Sequence, residues 1–174
     1  HSLAQYELGI FYKEENDINK AIHFLLLSAD NNCSKAQYEL GLIYYKGKYI
    51  PRDINKAISY LFRASNQNCH KAQNLLGKIY YKGKYVERNI NIAIHYFNLA
   101  EKQNDQEAQF FLGLIYEEYG SFGIEKAIHY YLLAADQNNS KAQIALGNIY
   151  LTNEYAKRDI DKAIYYYSLA ANQN

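Results

Sequence analysis

The sequence predicts an all-α fold, a solenoid of five stacked helical hairpins, on three observations. First, one block recurs along the whole chain, and a fixed-period repeat is the signature of stacked repeat architectures. The dipeptide Ala-Gln or its equivalent starts at Ala4, Ala36, Ala72, Ala108 and Ala142, at spacings of 32, 36, 36 and 34 residues. Second, each copy carries apolar residues at helical spacing. Third, the connections between those runs are too short for anything but neighbouring antiparallel helices. The copies are residues 2–33, 34–69, 70–105, 106–139 and 140–174, read as one domain spanning 1–174.

The second copy shows the hairpin most clearly. In its first helix, Ala36, Leu40, Ile43 and Tyr44 fall at i, i+4, i+7 and i+8, one apolar face. Leu-Gly pairs recur in all five copies, as at Leu40-Gly41 and Leu76-Gly77, and tyrosine follows three residues later. Glycine costs about 1 kcal/mol in a helix interior, so its repetition implies a close approach by another helix. Replacing Gly77 by leucine should overpack that contact, at about 1–3 kcal/mol. Ser34-x-x-Gln37 reads as a capping box, repeated at Ser2-x-x-Gln5 and Ser140-x-x-Gln143. The second helix follows an N-cap, Asp53, with equivalents at Asp17, Asn89 and Asp159 and Gly123 in the fourth copy. Ile54, Ala57, Ile58, Leu61 and Ala64 make its buried face. Asn68 is expected to end it in the left-handed conformation, with Asn32, Asn104, Asn138 and Asn174 as its equivalents. Length variation is confined to the loop inside each hairpin, as befits a surface segment.

Composition narrows the function classes. The chain holds 19 Lys or Arg and 18 Asp or Glu, for a net charge of +1. A dominant nucleic-acid footprint would show as a basic stripe, and no such stripe runs the length of the chain. No apolar run reaches membrane-spanning length. The two cysteines, Cys33 and Cys69, hold one position in consecutive copies. Stacked helices sit roughly 10 Å apart, too far for a disulfide, so two free thiols are expected. They favour a reducing compartment, and the expected location is the cytoplasm, with the secretory lumen as the alternative. The chain starts away from a methionine and reads as a piece of a longer protein.

The pattern A-x-x-x-L-G-x-x-Y-x-x-G followed by D-x-x-K-A-x-x-Y-x-x-x-A-A resembles the Sel1-like repeat family, relatives of the tetratricopeptide repeats. The second copy carries it as Ala36, Leu40, Gly41, Tyr44, Gly47, Asp53, Lys56, Ala57, Tyr60, Ala64 and Ser65. Departures are confined to loops: Tyr49 and Tyr85 replace a loop glycine, Tyr119 and Asn153 replace another, and asparagine stands at every exit from the second helix. The resemblance implies a right-handed superhelix and adaptor work in assembling protein complexes and in signalling.

Chemistry-bearing patterns are sparse. There is no phosphate-cradling glycine motif, no H-E-x-x-H and no nucleophile elbow. No catalytic residue, cofactor site or metal site is assigned, and an enzyme is not expected. His23, His95 and His129 share a position on the second helix, but neighbouring copies lie too far apart for side chains to meet on one metal. The candidate site is instead the side of the first helix opposite its packing stripe. Its positions are Tyr6, Ile10 and Lys13; Tyr38, Leu42 and Tyr45; Asn74, Lys78 and Tyr81; Phe110, Leu114 and Glu117; Ile144, Asn148 and Leu151. If these first helices line the concave side, as the resemblance implies, the positions form a groove for a protein or peptide partner. Apolar residues on such a face point to a binding surface. Two alternatives stand beside it. The loops Tyr45-Lys-Gly-Lys-Tyr49 and Tyr81-Lys-Gly-Lys-Tyr85 could hold a phosphorylated ligand or nucleic acid. The array could also serve as a spacer or self-associate through its last helix, around Tyr165 to Ala171.

Overall fold

The structure, a computed structural model, describes residues 1–152 and 154–173. The expectations placed on Asn153 and Asn174 fall outside these residues. Among the described residues there are ten α-helices and one short 3-10 turn, and no strand. They form two compact units, His1–Asn89 and Ile90–Asn174.

The first unit holds α1 (Ser2–Glu14), α2 (Ile18–Asp30), α3 (Ser34–Lys46), α4 (Ile54–Ser65) and α5 (His70–Lys82). Helix α1 packs on α2 and α3 on α4 as hairpins, while α2 packs on α3 and α4 on α5 across the seams between copies. The core follows the apolar stripes. Leu25, Ala29, Ala36 and Leu40 are fully buried, and so are Ala57, Leu61 and Ala64. Each buried leucine contributes about 1.5–3 kcal/mol. The second unit holds α6 (Ile90–Glu101), α7 (Gln106–Glu117), the turn Gly120–Phe122, α8 (Ile124–Asp136), α9 (Ser140–Thr152) and α10 (Ile160–Ala171). There α7 pairs with α8 and α9 with α10, and α6–α7 and α8–α9 form the seams.

The repeated glycine has the expected reason. A Cβ on Gly41 would lie 2.6 Å from the Leu61 Cγ and 3.3 Å from the Ala57 carbonyl oxygen. In the fourth copy the same space holds an aromatic ring: a Cβ on Gly113 would come within 2.5 Å of Tyr131. The family's aspartate, lysine and tyrosine also act as one local device. Asp53 accepts from the Lys56 backbone N–H at 3.0 Å. The Lys56 ammonium lies 5.4 Å from the centre of the Tyr44 ring, and Tyr44 stacks on Tyr60 with centroids 5.9 Å apart and planes 2° from parallel. The stack recurs as Tyr12–Phe24, Tyr116–Tyr130 and Tyr150–Tyr166. Each has its lysine above the ring: Lys20, Lys126 and Lys162. These contacts tie the two helices of a hairpin together at the end nearest their loop, and cation–π pairs of this kind are worth about 0.5–1 kcal/mol when exposed.

The asparagine exits are left-handed as expected, with φ of 61° at Asn32, 59° at Asn68 and 62° at both Asn104 and Asn138. Behind each, the next backbone N–H reaches back across the turn, as Cys33 N to Ser28 O at 3.1 Å and Cys69 N to Ala64 O at 3.2 Å. That is the bond pattern of a Schellman cap.

The capping-box expectation needs correction. The N-cap of α3 is Cys33, one residue before Ser34, and no side chain caps it. Gln37 does not reach back to its own helix start. It is fully buried, and its Nε2 donates to the Ala29 carbonyl at 3.2 Å and to Asn32 Oδ1 at 3.2 Å. Its Oε1 accepts from Gln67 Nε2 at 2.8 Å. Gln143 repeats this, donating to Ala135 O at 3.2 Å and accepting from Gln173 at 2.8 Å. Gln109 accepts from Gln137 at 2.7 Å. The repeated glutamine is therefore a seam residue, bonding both to the exit of the preceding copy and to the exit of its own. Side-chain capping of the first helix does occur where Asp105 and Asn139 replace the cysteines: each accepts the N–H three residues on.

Candidate functional site: the outward faces of the first helices

In the first unit the candidate positions lie on α1, α3 and α5. Tyr6 and Ile10 are half-buried and pack against the seam core of Leu25, Ala29, Ala36, Leu40 and Ile43. Burial pushes the Tyr6 phenol above its usual range, and the carboxylates of Glu39 and Glu7 push it further. Lys35 places its ammonium 5.8 Å from the Tyr6 ring centre. Lys13 is held by Glu39 at 2.6 Å, in a pair whose side chains are 29% and 15% exposed. Glu39 is thus a face residue that the sequence reading missed. Its partner is 26 residues away, beyond any local pattern.

Tyr38 and Leu42 on α3 are half-buried, as are Lys78 and Tyr81 on α5. Asn74 is only 6% exposed and sits inside the packing, so it offers little surface to a ligand. Tyr45 meets Tyr85 edge to face, with ring centroids 6.1 Å apart. Its phenol is raised first by burial and then by Tyr85, while Arg52 and Lys84 pull it back. The two Lys–Tyr loops therefore adjoin.

In the second unit Phe110 and Leu114 are half-buried against the core of α8 and α9. The Phe110 ring lies 5.9 Å from Tyr131 and 5.6 Å from Phe111. Beside Phe110 opens a shallow cleft of about 330 Å³, reaching Glu107, Asn138, Asn139 and Lys141. Ile144 is 46% exposed, and Asn148 is exposed and accepts from the Tyr167 hydroxyl at 2.6 Å. Glu117 likewise takes the Tyr131 hydroxyl at 2.6 Å, and Leu151 is half-buried. The phenols that fill the glycine spaces thus emerge to bond residues of this face.

Other chemistry is thin. Cys33 and Cys69 are half-buried free thiols. His23, His95 and His129 are exposed, each edge-on to the aromatic residue that follows it. Among the described residues no three His, Cys, Asp or Glu side chains gather to hold a metal, and no helix is long and apolar enough to cross a membrane.

The sequence profile of the Sel1 repeat matches residues 2–33, 34–69, 70–105, 106–139 and 140–174. The chain belongs to the Sel1 repeat family. Among solved structures, a Sel1 repeat protein from Oxalobacter formigenes superposes with a TM-score of 0.86 at 29% identity, covering 100% of this chain and 74% of that one. A Sel1 repeat protein from Klebsiella pneumoniae gives 0.62 at 18% identity, covering 98% and 86%. The immunity protein Pa5087 from Pseudomonas aeruginosa gives 0.53 at 19%, covering 88% and 73%. The last two support the fold alone. A search of curated proteins found no match. The all-α solenoid class expected from the sequence is therefore the class of the protein. Sel1 repeats form a non-catalytic scaffold class whose members generally mediate protein–protein interaction.

Proposed function

We propose that this Sel1 array is a non-enzymatic interaction module that holds a peptide or helix of a protein partner on the outward faces of its first helices. Tyr38, Leu42, Tyr45 and Tyr81 are the anchors in the first unit, and Phe110 and Leu114 in the second. The observation that carries the reading is a division of labour within α3. Ala36, Gln37, Leu40, Gly41 and Ile43 are buried in packing, whereas Tyr38, Leu42 and Tyr45 keep part of their surface in solvent. Tyrosine is among the residues enriched in interface hot spots, and apolar side chains left partly exposed beside it point to a binding surface. The shallow cleft beside Phe110 suits a single side chain of a partner better than an enclosed small molecule.

Selection of a random peptide display library on the intact chain tests this. Selected peptides should lose about 30-fold or more in affinity with Tyr38→Ala plus Phe110→Ala, since each anchor is worth about 2 kcal/mol. Far-UV circular dichroism checks that the variant stays folded. Undiminished binding to a folded double variant refutes the assignment.

A second reading has its own observation. Leu3, Leu8 and Phe11 on α1, and Ile160, Ile164 and Tyr165 on α10, are all exposed. Such apolar faces suit self-association. Sedimentation across a hundredfold range of concentration tests it: a constant monomer mass removes it.

A further inference from the structure

The two Lys–Tyr loops are built differently from the rest of the molecule. Residues 46–53 and 82–89 hold six Lys or Arg and two Asp or Glu, on a chain whose net charge is +1. Asp53 is already engaged by the α4 N-terminus and by Lys56, which leaves Glu87 as the other carboxylate in these two segments. The charge is not a requirement of the hairpin. The first copy has Glu14 and Glu15 at the same loop, and the fourth has Glu117 and Glu118.

The cations are also held in place. Gly47 and Gly83 take φ of 62° and 61°, and each lets an arginine fold back over the end of its helix. A Cβ on Gly47 would meet the Arg52 Cβ at 2.8 Å, and one on Gly83 the Arg88 Cβ at 2.6 Å. Arg52 Nε donates to the Tyr45 carbonyl at 2.8 Å and its Nη2 to the Lys46 carbonyl at 3.1 Å. Arg88 Nε donates to the Tyr81 carbonyl at 3.1 Å. The Arg52 guanidinium then lies 4.4 Å from the Tyr85 ring centre, so it bridges one loop to the next. Lys84 also sits near Tyr85, at 5.2 Å, and Lys46, Lys48, Lys82 and Lys84 are all exposed.

We propose that these two adjoining loops form one anion-recognition surface for an acidic peptide segment, which fixes the charge of the partner at this end of the first unit. The proposal rests on the interaction-module reading for the statement that the segment belongs to a protein. Two features favour a peptide over a nucleic acid. Single-stranded nucleic acid is held largely by bases stacking on free aromatic faces. Here the Tyr45 and Tyr85 rings are half-buried and set against each other, and the Tyr85 ring is covered by Arg52 and Lys84. The basic charge is also confined to two loops, and does not form a track along the chain. The spacing sets the ligand's register. Helices α3 and α5 lie side by side, about 8–10 Å apart. An extended polyproline-type chain advances about 3.1 Å per residue with three residues per turn. Carboxylates at every third residue would therefore face successive loops.

The probe is a fluorescein-labelled twelve-residue peptide with Glu at every third position and Pro between. Its Gln counterpart and a twelve-nucleotide oligo-dT serve as comparisons, all by anisotropy on the intact chain. The Glu peptide should bind at least tenfold tighter than the Gln peptide, and weaken as salt rises from 50 to 200 mM. Lys48→Glu plus Lys84→Glu should abolish the difference with the thermal midpoint unchanged, whereas Lys71→Glu plus Lys102→Glu, at exposed lysines outside these loops, should leave it. Equal binding of the Glu and Gln peptides overturns the proposal, and so does oligo-dT binding tighter than the Glu peptide. Because this probe lacks apolar anchors, Tyr38→Ala plus Phe110→Ala should not change its affinity. A failed groove and a failed loop surface therefore give different results.

Discussion

Helices α1 and α3 carry the same stripe and meet different fates. In α3, Ala36, Leu40 and Ile43 are 0%, 0% and 4% exposed because α2 covers them. In α1 the matching Ala4 is exposed, and Leu8 and Phe11 are 41% and 52% exposed. Yet both helices pack equally closely on their own hairpin partner: a Cβ on Gly9 would meet Leu25 at 2.7 Å, and one on Gly41 would meet Leu61 at 2.6 Å. The difference separates two layers of stability that a single hairpin would confuse. One belongs to each hairpin and is alike in the first two copies. The other belongs to the seam and exists only where a neighbour is present, as expected where stability is a sum of repeat and interface terms.

Substitutions at matched positions can break or sharpen this distinction. The largest expected effect is at the seam core. Leu40→Ala should cost about 2–5 kcal/mol in urea unfolding, and Leu8→Ala less than about 1 kcal/mol, since much of that side chain already meets water. Equal costs would mean that the seam contributes nothing beyond the hairpin. Next comes the hairpin contact. Gly41→Ala and Gly9→Ala should each destabilise by about 1–3 kcal/mol through overpacking, with the two values close together. A large gap between them would show that the hairpin layer differs between copies. Seam polarity follows. Gln37→Leu leaves the Gln67 amide and the Ala29 carbonyl without this partner, at about 1–3 kcal/mol. Gln5, whose side chain accepts from Asn31 at 3.2 Å on the exposed surface, should tolerate leucine with little change in the midpoint.

The smallest effect is a pH dependence at the α2 N-terminus. Lys20, by side-chain and backbone hydrogen bonds, holds the Asp17 carboxyl below its usual 3.8. A depressed folded-state value means that the stabilisation is fully present above pH 3.8 and is lost as pH falls through the lower folded value. Asp17→Asn should flatten that part of the acid unfolding curve, lowering the neutral-pH midpoint slightly while leaving stability below the folded value unaltered. An unchanged acid limb would show that this cap carries no linkage.

What could be read in advance follows from how local each cause is. The stripe of Ala36, Leu40 and Ile43, the Asp53 cap and the left-handed asparagines depend on spacing within one helix or turn, so the sequence displays them. Gln37 was misread as a cap because a plausible partner stood three residues away, while its real partners, Ala29 and Gln67, lie in the preceding exit and the following one. Arg52 drew no reading from the sequence, because its role depends on the left-handed Gly47 and on two carbonyls of α3. On the candidate face, helical periodicity gave the direction of each side chain but not what neighbours cover. That is why Asn74 and Ile144, assigned to matching places, end at 6% and 46% exposure.

The left-handed asparagine turns make each copy a cassette. Just after them, Cys33 and Cys69 adopt nearly the same backbone, with φ, ψ of −75°, 111° and −74°, 101°. Excising residues 34–69 would join Cys33 to His70 with hardly any change in the direction of the chain. Gln73, which donates to the Ser65 carbonyl at 3.3 Å, would then meet the Ala29 carbonyl instead. The joint that ends one helix is thus also a recombination point at which arrays of different length can be spliced without redesigning the seam.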